Sequence, residues 1–172
     1  MKVKRLGAWA AGACALSLLS AVAVAGDIVV KVESEQYPSG THTVSVRDDG
    51  SFNDTVTFQQ PGPSFDPRCA NAAVGADGKS HNKVSLSING FRGDDGIVLI
   101  DVVMETEKAG RLYDRGVVAP DGRSMTTVEC PSVATLMVGP SGIVRPGQSI
   151  VLFDGMDGSD HSQVKLTVDL LK

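Results

Sequence analysis

The densest cluster of residues able to do chemistry is Asp154-Gly155-Met156-Asp157-Gly158-Ser159-Asp160. Asp154, Asp157 and Asp160 recur at every third position of a Gly-rich segment. Calcium takes several oxygens from one flexible loop, so these carboxylates are the chain's calcium candidates. Their spacing departs from the EF-hand loop, which alternates its acids and ends on a Glu. The same residues also make an acidic hairpin between Ile150–Phe153 and Gln163–Leu170, which requires no ion.

His42, His81 and His161 are the histidines of the chain. None has a His or Cys at metal-ligand spacing, and each falls near a loop or strand end, as surface histidines do. As catalytic bases they lack a nucleophile. Gly139-Pro140-Ser141-Gly142 is not the G-x-S-x-G elbow, and no segment has the strand–turn–helix context that motif requires. No P-loop or dinucleotide fingerprint is present, and a glycosidase-type carboxylate pair would have to be assembled by the fold. Arg92-Gly93-Asp94 spells an adhesion tripeptide, but within a Gly/Asp turn that accounts for it. Asn53-Asp54-Thr55 is a glycosylation sequon, without consequence in a bacterial export setting. No catalytic residue and no cofactor is assigned.

The N-terminal segment bears on the cysteines. Lys2, Lys4 and Arg5 precede an uncharged run from Leu6 to Val24, which closes on Ala23-Val24-Ala25. This is the layout of a cleavable secretory signal peptide over residues 1–25, with residues 26–172 as one β-rich secreted domain. Two other readings stay open: an uncleaved membrane anchor, and a lipoprotein modified at Cys14 after Ala11-Gly12-Ala13. The mass of the mature protein separates the three. Cleavage removes Cys14 and leaves Cys69 and Cys130, an even pair in an oxidising compartment, which predicts a disulfide between them. Without C-x-x-C spacing or an adjacent His, a structural bridge is favoured over a redox or metal pair.

Cleavage also takes away three cations and no acid, moving the formal charge from −4 to −7. Nucleic-acid binding runs on clustered Lys and Arg, so this balance argues against such a partner. The only Trp, Trp9, leaves with the signal, and few aromatic platforms for sugars remain. No later apolar run approaches membrane-spanning length.

Positioning falls to strands, because the dominant period is two. Ile28, Val30 and Val32 alternate with Val29, Lys31 and Glu33, and Val44 and Val46, Val56 and Phe58, Val84, Leu86 and Ile88, and Val164, Leu166, Val168 and Leu170 alternate with polar neighbours. Ile97–Met104 is more continuously apolar, broken only by Asp101, and predicts a central strand covered on both faces. Asp49-Gly50, between two alternating segments, predicts a hairpin. Asp121-Gly122 and Pro146-Gly147 mark further turns. Asp66-Pro67 supplies an N-cap and a first-turn Pro, so Arg68–Val74 predicts a two-turn helix stopped at Gly75 and carrying Cys69. The bridge to Cys130 would pin it to the end of a strand over Met125–Glu129. The expected fold is therefore mainly β: an antiparallel β-sandwich with one short helix near Cys69. The alternative is α+β with an antiparallel sheet, if that helix is longer and Glu105–Leu112 adds another.

Signal, distant Cys pair and β-rich body together resemble the small uncharacterised exported β-rich proteins of Gram-negative proteobacteria. The resemblance is one of type and transfers no site. Gly142–Gly155 looks like strand pairs of secretin-type channels, a likeness of hairpin chemistry. Chaperone–usher pilins are also secreted sandwiches with one disulfide. Here, however, the Cys pair is central, and the chain ends Asp169-Leu170-Leu171-Lys172 without their penultimate Tyr. The expectation is a non-enzymatic protein of the periplasm, surface or medium, acting through its surface on a protein partner and exposed as an antigen. The alternatives are a pilus or fibre subunit, which would exchange strands between copies, and a small secreted hydrolase.

Overall fold

A computed structural model describes residues 26–157 and 160–171, without the side chains of Asp157 and Asp160. The expected signal peptide over residues 1–25, with Cys14, lies outside the described residues.

The chain runs β1 (Ile28–Ser34), β2 (Gly40–Val44), β3 (Ser51–Ser64), a 3-10 turn (Pro67–Cys69), β4 (Lys79–Arg92), β5 (Val98–Val118), β6 (Met125–Val138), β7 (Ser141–Val144), β8 (Gln148–Asp157) and β9 (Asp160–Leu170). One sheet has the order β2-β1-β9-β8; the other has β3-β4-β5-β6, with β7 also paired to β5. All pairings are antiparallel. The two sheets form the expected antiparallel sandwich, and their inner faces make one core. From the first sheet come Ile28, Val30, Val32, Val44, Val164, Leu166 and Val168. From the second come Phe52, Val84, Leu86, Ile88, Ile100, Val102 and Met104. Period-two alternation of β-branched and aliphatic residues put one face of each strand inside. Each such side chain contributes about 1.5–3 kcal/mol by leaving water.

The predicted helix is replaced by a single 3-10 turn. Asp66 does cap it, accepting from the Arg68 N–H, and Pro67 is its first residue. Asn71 then competes with helix continuation: its side-chain oxygen accepts from the N–H groups of Ala73 and Val74, closing a turn at 71–74. No α-helix occurs among the described residues, so the α+β alternative falls, and Glu105–Leu112 lies within β5. Asp49-Gly50 does turn the chain, with Gly50 at φ +83°. It joins β2 to β3 across the two sheets, however, and does not make the expected in-sheet hairpin. Ile97–Met104 is central in its sheet but covered on one face only, since Val98, Ile100, Val102 and Met104 are buried while Leu99 and Val103 are nearly half exposed.

β5 is 21 residues long, and its two halves serve different partners. Val98–Glu107 pairs with β4, whereas Leu112–Val118 pairs only with Met125–Pro131 of β6. This second stretch is a two-stranded arm, roughly 20 Å long at strand rise. Residues 65–78 form a compact loop whose ends meet through Phe65 N–H and the Gly78 carbonyl, 2.8 Å apart. The loop packs on β6 and is joined to it by the predicted disulfide, Cys69–Cys130. Cys69, Ala73, Val74, Val117 and Cys130 are buried there, apart from the main core.

Candidate functional site: the disulfide-clamped arm

The arm is held to the loop by three kinds of contact. The bridge joins Cys69 to Cys130. Asn71 Nδ2 donates to the Pro131 carbonyl at 2.9 Å, and Arg68 Nη1 donates to the Val118 carbonyl at 3.3 Å. Asp66 orients Arg68 through two side-chain bonds of 2.8 and 2.6 Å, and that guanidinium holds the Asp66 carboxyl down to a pKa of about 2. At the arm's tip, Asp121 accepts from the Ser124 hydroxyl and from the N–H groups of Ser124 and Arg123. These bonds, the hydroxyl first, lower its pKa to about 2 and keep it ionised while it closes the turn.

Register assigns the arm's two faces. Tyr113 lies opposite Cys130, so Tyr113, Arg115 and Val117 share the disulfide face. The other face carries Leu112 opposite Pro131, Asp114 opposite Glu129, and Val118 opposite Met125. Leu112 is 53% exposed and Met125 69%. Asp114 and Glu129 are like charges directly across the ribbon, an arrangement that destabilises it. Neither forms an ion pair among the described residues. Where arm meets sandwich, a groove of about 620 Å³ is lined by Gln36, Phe65, Lys108, Gly110 and Leu112, with the Lys108 ammonium 5.3 Å from the Tyr37 ring centre.

The residues singled out from sequence lie elsewhere; Asp154 and His161 meet, but the set does not gather into one site. Asp154 is engaged at both oxygens, by His161 Nε2 at 2.9 Å and by Gln163 Nε2 at 2.8 Å. Asp157 pairs in register with Asp160 at the β8–β9 turn, and their side chains lie outside the described residues. Among the described residues no three His, Cys, Asp or Glu gather as a metal would require. His161 borders an open groove with Glu33, Glu35, Gln163 and Lys165. His42 faces the core margin from β2, with Nε2 2.9 Å from Asp54 Oδ2 of β3, and this bond lowers the Asp54 pKa. It latches the edges of the two sheets. An Asp–His pair is two-thirds of a hydrolytic triad. No Ser, Thr or Cys is hydrogen-bonded to either ring among the described residues. His81 lies on β4 opposite Pro61. Arg92 of the tripeptide is engaged within the fold, its guanidinium donating to the Gly26 carbonyl. Ser141 opens β7, and Asn53 is exposed on β3 opposite Asn89.

Sequence reading missed the arm because its charged strand residues alternate without an apolar period. It also missed an outward apolar row, Phe91–Leu99–Ile143, laid across three strands by register. Taking Ile97–Met104 as doubly buried concealed that row. No helix among the described residues is long and apolar enough to cross a membrane.

No protein-family model, no curated protein and no solved structure matches the chain.

Proposed function

We propose that this chain is a non-enzymatic interaction domain, exported to the periplasm, surface or medium, that binds a protein partner through the outer face of its β5–β6 arm. One observation carries this reading. The arm keeps features that work against its own stability: exposed Leu112, Val118 and Met125, and the opposed carboxylates Asp114 and Glu129. Sequences break such local rules mainly where function asks for it, and clustered exposed apolar residues around polar ones are what a protein interface needs. The complementary surface is apolar with a central Lys or Arg, which would relieve the Asp114–Glu129 repulsion on docking. The disulfide supports export, since such bridges persist in oxidising compartments. A strand-exchanging fibre subunit is less well supported, because that mechanism leaves a core groove open in the monomer, whereas both sheets here contribute to one shared core.

The test is crosslinking capture from the envelope and medium fractions of producing cells, using the mature chain as bait. A defined protein should be captured by the parent chain and lost with Asp114→Lys/Glu129→Lys and with Met125→Asp, at unchanged circular dichroism. Capture that survives both variants would refute the assignment to the arm. Recovery of the chain only from the cytoplasm, with residues 1–25 retained, would refute export.

A further inference from the structure

We infer that β6 carries a second interface, the free edge Ser132–Val138, and that its occupant is the same edge of a second copy of this chain, paired antiparallel about a two-fold axis at Thr135. An exposed strand edge offers unpaired backbone N–H and C=O groups, and proteins blunt such edges with short strands, charges, prolines or bulges. Three of the sandwich's edges are blunted in these ways. β2 has only five residues and is latched to β3 by His42–Asp54. β3 carries Pro61 and Pro63 beside a register shift. β8 has a register shift between Val151 and Phe153 and carries Asp154 and Asp157. Val133-Ala134-Thr135-Leu136-Met137-Val138 has none of these devices: no charge, no Pro, no Gly, and an uninterrupted register against β5, with Ser132 standing at the register shift that ends the stretch. Among the described residues no strand pairs with its outer side.

The window is bounded. On one side the 65–78 loop covers β6 through Cys69–Cys130 and the Asn71–Pro131 bond. On the other, Gly139-Pro140 ends the strand. Pairing about Thr135 engages Val133–Met137 of each copy and leaves Ser132 and Val138 as the end pair. That register sets Thr135 against Thr135 of the partner copy, Val133 against its Met137, and Ala134 against its Leu136. Thr–Thr and apolar pairs are favourable across strands, and Met137, now 66% exposed, gains an apolar neighbour. The strand is therefore complementary to itself, and an isologous contact of this kind closes as a dimer. The nearest acids on the same face, Glu105 and Glu107, belong to β5. The two β5 strands would stand about 14 Å apart, three strand spacings, where salt screens most of their repulsion. The antiparallel arrangement would point the two arms in opposite directions, so the dimer would present the proposed binding face twice. The dimer itself does not depend on that face.

Sedimentation of the mature, oxidised chain from micromolar to sub-millimolar concentration tests the inference. The expected result is a reversible dimer of twice the mature mass. Thr135→Lys, which sets two ammonium groups against each other at an exposed position, should give a monomer that melts with the parent at dilutions where the parent is itself monomeric. Thr135→Cys should form an intermolecular disulfide under mild oxidation, whereas Thr57→Cys on β3 should not. A parent chain that stays monomeric throughout, a dimer that survives Thr135→Lys, or failure of the Thr135→Cys chains to crosslink would each overturn the proposal. None of these outcomes bears on partner capture by the arm.

Discussion

Removing the Cys69–Cys130 bridge with the double variant Cys69→Ser/Cys130→Ser tests how the arm is held. The two positions are 61 residues apart in sequence. In the chain-entropy account, a loop of that length confers about 4 kcal/mol by restricting the unfolded chain. For a domain of this size the unfolding entropy is about 0.3 kcal/mol/K, so the melting temperature should fall by about 13 °C. The loss should also be uneven. Both cysteines, like the buried Ala73, Val74 and Val117, lie outside the main core. Without the bridge, the 65–78 loop keeps the Arg68–Val118 and Asn71–Pro131 bonds to the arm. Thermal unfolding by circular dichroism gives the global figure, and native-state hydrogen exchange gives its distribution. Amides of Leu112–Val118 and Met125–Pro131 should lose protection first, ahead of those in β1 and β9. A fall of less than about 3 °C would mean that the loop does not constrain the unfolded chain in this way. Equal loss of protection in arm and sandwich would refute the claim that the bridge serves the arm.

Further predictions concern single residues. The His42–Asp54 latch holds the Asp54 pKa below its ordinary 3.8. The stability it confers should be fully present above that value and be lost as pH falls through the lower folded pKa. With Asp54 a third exposed the effect should stay under about 1 kcal/mol, and acid titration of Asp54→Asn should lack it. Gly90→Ala should destabilise by about 3 kcal/mol in urea, because the added methyl would overlap the Leu99 carbonyl and the Phe52 ring on the inner face. Asp114→Lys should raise stability by about 0.5 kcal/mol, replacing a like-charge pair by an opposite one across from Glu129, while abolishing partner capture. A variant that lost stability instead would contradict the strand register of the arm.

The sandwich was legible wherever burial writes a period of two, as in Ile28–Val32, Val84–Ile88 and Val164–Leu170. The Cys pair followed from the even count left once the expected signal peptide is set aside. The turn at Asp121-Gly122 was also visible, although its role as an arm's tip was not. What stayed hidden depends on pairing at a distance. Glu105–Leu112 has helix-compatible residues and no alternation, and it is extended because β6 runs beside it. The short helix failed at Asn71, whose side chain bonds both onward to its own backbone and across to Pro131. The second of those bonds cannot be seen without β6 in place. The candidate arm was illegible because its signal is exposure itself, which no residue pattern states.

β1 and β9 are neighbours from Ile28–Leu170 to Ser34–Val164, and the Leu171 N–H bonds the Asp27 carbonyl. The first strand of the domain therefore has no complete sheet to join until the last strand exists. β2 can fold back on β1 early, but five residue pairs alone make a marginal ribbon. The opposite sheet, built from consecutive β3, β4, β5 and β6, can form from nearer contacts. A chain entering a new compartment N-terminus first would thus keep its leading strand unfinished and threadable throughout passage. It would close as a sandwich only on release of residues 160–170, the order of events suited to a slow-folding, high-contact-order topology.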